Sequence, residues 1–263
     1  MRDEIQKPNS PSVIKHRYLE QALAWWPVVL FLPARLVFAF LAQGVTAALF
    51  LVLGAEGPWQ EAAAWWPVYS TITDVLCLGS LMLLTRRERI QIRDLFGVSD
   101  LSTAARQLLW TPVFLLAVAP GAVAANLITT AFYGSQLPPM ISVVNLPPAG
   151  IAYAMLVWPM IWVVTEELGY LGFLLPRLEA LTGRTWIAAS LVISFWGMQH
   201  LAIPLLPDTT YLVSRMTAAL AAISLFPIAF VVFRRRLVPL IGVHYIADLA
   251  TAFLATLAPL LAG

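Results

Sequence analysis

Runs of twenty or more apolar residues recur along this chain, and that length matches what a helix needs to cross a membrane. An α-helix rises about 1.5 Å per residue, so roughly 20 residues span a hydrocarbon core of about 30 Å. Composition agrees with the runs. Of 263 residues, 60% are hydrophobic and 11% are charged, where a soluble domain carries about 25% charged residues. A soluble chain this apolar could not cover its own surface with polar groups. Inside a bilayer every backbone polar group must be satisfied within the protein, which leaves helical bundles and closed barrels. The alternating ten-residue pattern of a barrel strand is absent. The expected fold is therefore all-α: a polytopic transmembrane bundle of about seven spans.

The runs place these spans near 28–54, 64–84, 107–131, 148–168, 185–203, 211–233 and 237–261. The first is overlong and contains Pro27, Pro33 and Arg35, so part of it is expected in the interface, with Trp25 and Trp26 at headgroup level. The fourth is expected to continue as helix to about Leu181. This divides the chain into a solvated, partly disordered tail (1–24), three N-terminal spans (25–147) and a four-helix core (148–263). The polar N-terminus and the long apolar stretch after it do not make a secretory signal. The single cysteine, Cys77, lies in an apolar run and leaves the redox compartment open.

Charge in the connections assigns direction. Arg2, Lys7, Lys15 and Arg17 occupy the tail; Arg86, Arg87, Arg89, Arg93 and Arg106 follow the second span; Arg177 and Arg184 follow the fourth; Arg234, Arg235 and Arg236 follow the sixth. The alternate connections 55–63, 132–147 and 204–210 contain no Lys or Arg. The positive-inside rule then predicts a multi-pass protein of the cell membrane with a cytoplasmic N-terminus and an external C-terminus. The basic residues sit in short clusters between spans, so no nucleic-acid partner is expected.

Ionisable groups within spans cost about 2.5–3.5 kcal/mol each on insertion scales, and each asks for a reason. Arg35 and Asp74 are expected to neutralise one another. Arg215 is expected to snorkel to the outer interface, towards Asp208. Glu166, Glu167, His200, His244 and Asp248 differ, because they fall in three spans of the last 120 residues or so. Counting residues from the nearest basic position puts Glu166, His200, His244 and Asp248 at roughly 16, 24, 12 and 18 Å, overlapping depths near mid-membrane. His244 and Asp248 are i and i+4, so Asp248 can orient the His244 ring. Glu166 and Glu167 diverge by roughly 100° around the helix, so one is expected to be chemical and the other structural. A glutamate in low dielectric paired with histidine can activate water, and a second histidine can steady an oxyanion. Those parts suit peptide-bond hydrolysis. A Glu/His/His set could also hold zinc, although H-E-x-x-H is absent.

The segment Glu166-Glu167-Leu-Gly-Tyr-Leu-Gly-Phe-Leu-Leu-Pro-Arg-Leu178, followed by Phe195-Trp-Gly-Met-Gln-His200 and His244-Tyr-Ile-Ala-Asp248, resembles the three motifs of the CPBP (CAAX protease and bacteriocin-processing) intramembrane proteases. Those motifs are E-E-x-x-x-R, F-x-x-x-H and H-x-x-x-N/D, on successive helices of a four-helix core. The resemblance covers roughly 148–263 and implies proteolysis of a membrane-associated protein or peptide, as in CAAX-type processing. It implies Glu166 as the base acting on water, assisted by His200, with His244 and Asp248 holding the oxyanion, and no essential cofactor; zinc stays open. Two positions depart from the motifs: Leu171 stands where the family has arginine, and Trp196 where it has phenylalanine. Losing the arginine removes a buried cation that could pair with a glutamate. Two other readings remain: a catalytically inactive family member serving as a binding or immunity protein, and a proton-coupled transporter.

Overall fold

A computed structural model describes residues 8–257. Every regular element among them is helical. The helices are α1 Pro11–Leu19, α2 Trp26–Phe31, α3 Ala34–Val52, α4 Pro58–Ala64, α5 Trp66–Arg87, α6 Leu101–Leu108, α7 Thr111–Tyr133, α8 Pro139–Ser142, α9 Pro148–Leu156, α10 Trp158–Glu167, α11 Leu175–Thr182, α12 Thr185–Gln199, α13 Thr209–Val232 and α14 Leu237–Thr256. A π-helical stretch, Leu168–Leu174, joins α10 to α11, and 3₁₀ turns occupy Ile92–Phe96 and His200–Ala202.

Local signals explain many of the boundaries. Proline opens α1, α4, α8 and α9, where its missing N–H costs nothing. The Asp100 and Asp208 side chains accept from the amides of Thr103 and Tyr211 at 2.8 and 2.6 Å, capping α6 and α13. Gly183, at φ +67°, takes the left-handed conformation that ends α11.

Among the described residues, six helices are long and apolar enough to cross a membrane: Ala34–Val52, Trp66–Arg87, Thr111–Tyr133, the composite Pro148–Thr182, Thr209–Val232 and Leu237–Thr256. The fourth runs to Thr182, close to the length its sequence predicts. The expected span 185–203 forms a shorter helix, α12, of 15 residues, after which the chain turns through His200–Ala202. Such a helix covers only about 22 Å. It lies against neighbouring helices, with Ala188, Val192 and Trp196 fully buried. The first apolar run divides near Pro33: α2 is a short piece, and α3 begins after that proline. Large apolar side chains such as Val45, Leu116 and Leu127 remain exposed on the long helices, as a lipid-facing surface requires.

The end of the last expected span, from 258 on, and the first seven residues lie outside the described residues. The rest of the tail differs from a solvated strand of chain. Residues Pro11–Leu19 are helical and seat Ile14 in the interior. The Asn9 amide donates to the Gly172 carbonyl at 2.8 Å, and Arg17 donates to that of Glu88 at 2.6 Å.

The two ends of the bundle are chemically distinct. At one, Arg177 is buried against Glu88 and donates to Asn9 at 2.9 Å, while Arg235 pairs with Glu179. At the other, Gln43 and Trp59 both donate to the Leu205 carbonyl, and Trp66 donates to that of Met140. The basic connections therefore gather at one end, as their alternation in the sequence implies.

Candidate active site

Glu166 and Glu167 are the last two residues of α10, directly before the π-helical stretch, and both are fully buried. π-helical turns arise mostly as local insertions at functional sites, and this one widens the helix just below the glutamates. Gly172 lets it sit close to the chain: a Cβ there would stand 3.1 Å from the Leu95 carbonyl oxygen.

Both oxygens of Glu166 are engaged. The Trp196 indole N–H donates to Oε2 at 2.7 Å. The Gln199 amide donates to Oε1, and Arg35 Nη2 lies 3.3 Å from the same atom. On Glu167, Oε1 is hydrogen-bonded to His244 Nδ1 at 3.1 Å, and Oε2 is buried without a partner. The other nitrogen of that ring, Nε2, lies 3.6 Å from Glu166 Oε2 and 3.6 Å from Asp248 Oδ2. The imidazole thus stands between three carboxyl groups. The divergence of the two glutamates does not separate them from one centre, because the ring offers a nitrogen to each. Asp248 faces the ring across a gap too long for a direct hydrogen bond; Glu167, not Asp248, makes the close contact that orients it.

His200 takes a different place. Its Nδ1–H donates to the Trp196 carbonyl at 2.9 Å. A carbonyl only accepts, so this bond leaves the Nε2 lone pair of a neutral ring free as a base. No hydrogen bond joins His200 to the carboxylates among the described residues. Arg215 donates from Nε to the His200 carbonyl at 3.3 Å. The chain leaves helical geometry there, so the carbonyl needs an outside donor. Aromatic rings wall the site. Tyr170 stacks on Trp196 with centroids 5.0 Å apart, and Phe226 packs edge-on against His244 at 5.4 Å.

All five residues singled out in the sequence fall in this region, four in one cluster and His200 at its edge. Arg35 does pair with Asp74, at 2.9 Å, yet its guanidinium also reaches Glu166 and Gln199. Gln199 was legible only as a polar residue in an apolar run; its two-sided role depends on α3 and α10 arriving beside it. Among the described residues no group of three or more His, Cys, Asp or Glu could hold a metal ion.

A family model described as type II CAAX prenyl endopeptidase Rce1-like matches residues 148–250. The match contains Glu166, Glu167, His200, His244 and Asp248 and agrees with the CPBP resemblance of the three motifs. The chain is thus a polytopic helical membrane protein whose residues 148–250, less than half of its length, are similar to the Rce1-like CAAX prenyl endopeptidase family. No curated protein and no solved structure matches the chain.

Proposed function

We propose that the protein is an intramembrane endopeptidase that hydrolyses a peptide bond of a membrane-associated protein or peptide, with water activated by Glu166. The observation that carries this reading is the gap beside Glu166. His244 Nε2 stands 3.6 Å from Glu166 Oε2 and 3.6 Å from Asp248 Oδ2, too long for direct hydrogen bonds, so these polar atoms are available to one water oxygen placed against them. Glu166 takes a proton from that water, and the oxygen attacks the scissile carbonyl carbon. The C=O π electrons move to oxygen, and the resulting oxyanion is held by the His244 N–H, with Asp248 donating when protonated. The C–N bond then breaks, and the amine leaves with the proton Glu166 had taken. His200 assists through its free Nε2, and Glu167 fixes the His244 ring. The chain's own groups account for each proton.

The orientation fits a cytoplasmic basic end. Arg86, Arg87, Arg89 and Arg93 in one connection, Arg184 in another and Arg234–Arg236 in a third join the docked tail there. The N-terminus is accordingly cytoplasmic. An inactive binding protein would not require the buried groups to converge on one bridging position.

The test compares the membrane proteins that accumulate uncleaved in cells carrying wild-type protein or Glu166→Gln. Accumulation of a defined precursor with Glu166→Gln, at equal levels of folded protein, is expected. Processing by Glu166→Gln at the wild-type rate would overturn the proposal.

A further inference from the structure

The motif position that carries arginine in the family is occupied by Leu171, a fully buried apolar residue. Glu166 still meets a cation, and it comes from outside the matched segment. Arg35 lies in α3, 131 positions earlier in the chain. Its guanidinium is 3% exposed, so its charge acts with little screening by water. Nε donates to Gln199 Oε1 at 2.8 Å, Nη1 to Asp74 Oδ1 at 2.9 Å, and Nη2 lies 3.3 Å from Glu166 Oε1. The fork also lies over the Trp162 ring, 4.6 Å from its centroid.

This arrangement acts on Glu166 twice. Directly, it sets a positive charge beside Oε1. Indirectly, it takes up the Gln199 amide oxygen, so the amide nitrogen of the same group faces Glu166 and donates to Oε1. A guanidinium can serve three acceptors in one plane, whereas an ammonium on the same helix could not hold all three in that geometry.

We infer that Arg35 is the positioning residue of the site, supplying from α3 the cation that Leu171 withholds. It holds Glu166 with Oε2 directed at His244, and it fixes Gln199 as a second donor. The catalytic unit therefore includes a helix before residue 148. This inference rests on the proposed proteolysis, and its competitor is plain neutralisation of Asp74.

Two full-length variants separate the roles. Arg35→Met with Asp74→Leu removes both members of the ion pair together, so no charge of that pair is left alone. Arg35→Lys keeps the charge and loses the fork. Each is assayed for accumulation in cells, and then in lipid nanodiscs with the precursor that accumulates with Glu166→Gln as substrate, alongside thermal unfolding. The expected result is a fall in kcat of about 100-fold for the double variant and about 10-fold for Arg35→Lys, with KM little changed. A wild-type kcat in either variant, or a loss confined to KM, would overturn the inference while leaving the protease reading intact. If Glu166→Gln accumulates nothing, the protease reading fails and takes this inference with it.

Discussion

At the residue scale, one of the two departures from the family motifs, Trp196, supplies Glu166 with a donor. Trp196 keeps the aromatic character of the position and adds an N–H that phenylalanine lacks, donated to Oε2 at 2.7 Å. A hydrogen bond to a buried charged group contributes about 1.5–3 kcal/mol. Trp196→Phe is accordingly expected to lower kcat by roughly 10- to 100-fold. The remaining ring still packs on Tyr170, so the unfolding temperature should move little. An unchanged kcat would show that Glu166 does not need this donor. The five acidic and histidine residues were legible in the sequence because ionisable groups in hydrocarbon are rare and costly. Arg35 was legible as a charge, but its reach to Glu166 was not. The sequence pointed to Asp74, and nothing local says that one guanidinium serves three partners.

At the scale of the elements, the lipid made the long helices readable and left their details to packing. Hydrocarbon thickness sets a minimum length for a crossing, so α3, α5, α7, α13 and α14 follow from apolar run length. The short α12 did not follow, because the chain's turn after Gln199 is set by the helices around it. Nor did the helical α1: its sequence is polar, and its docking depends on acceptors far along the chain, the carbonyls of Gly172 and Glu88. The π-helical turn had no signal at all. Close packing can be tested on α7 and α13. A Cβ at Gly121 would stand 2.7 Å from the Ala221 carbonyl oxygen, so these two helices meet backbone to backbone. Gly121→Ala should destabilise the protein by about 1–3 kcal/mol, read as a lower midpoint of denaturation in detergent. A midpoint at or above that of the wild type would mean the helices separate freely.

For the whole molecule, the sign of each connection and the gathering of basic loops at one end make a prediction about topology. Ser102 and Glu56 are both exposed, on opposite sides of that division. In a Cys77→Ala background, Glu56→Cys should react with a membrane-impermeant thiol reagent on intact cells. Ser102→Cys should react only after permeabilisation. The reverse pattern would invert the orientation. The sequence by itself determined a helical membrane bundle, its loop asymmetry and the ionisable residues that share one depth band, because hydrocarbon penalises every exception to apolarity. Only the tertiary structure decided which of those groups touch. It set His244 between Glu166 and Glu167, and it carried Arg35 from α3 to a glutamate 131 positions away. Depth along a helix follows from residue count, but rotation and neighbour choice are settled by the packing of all the helices together.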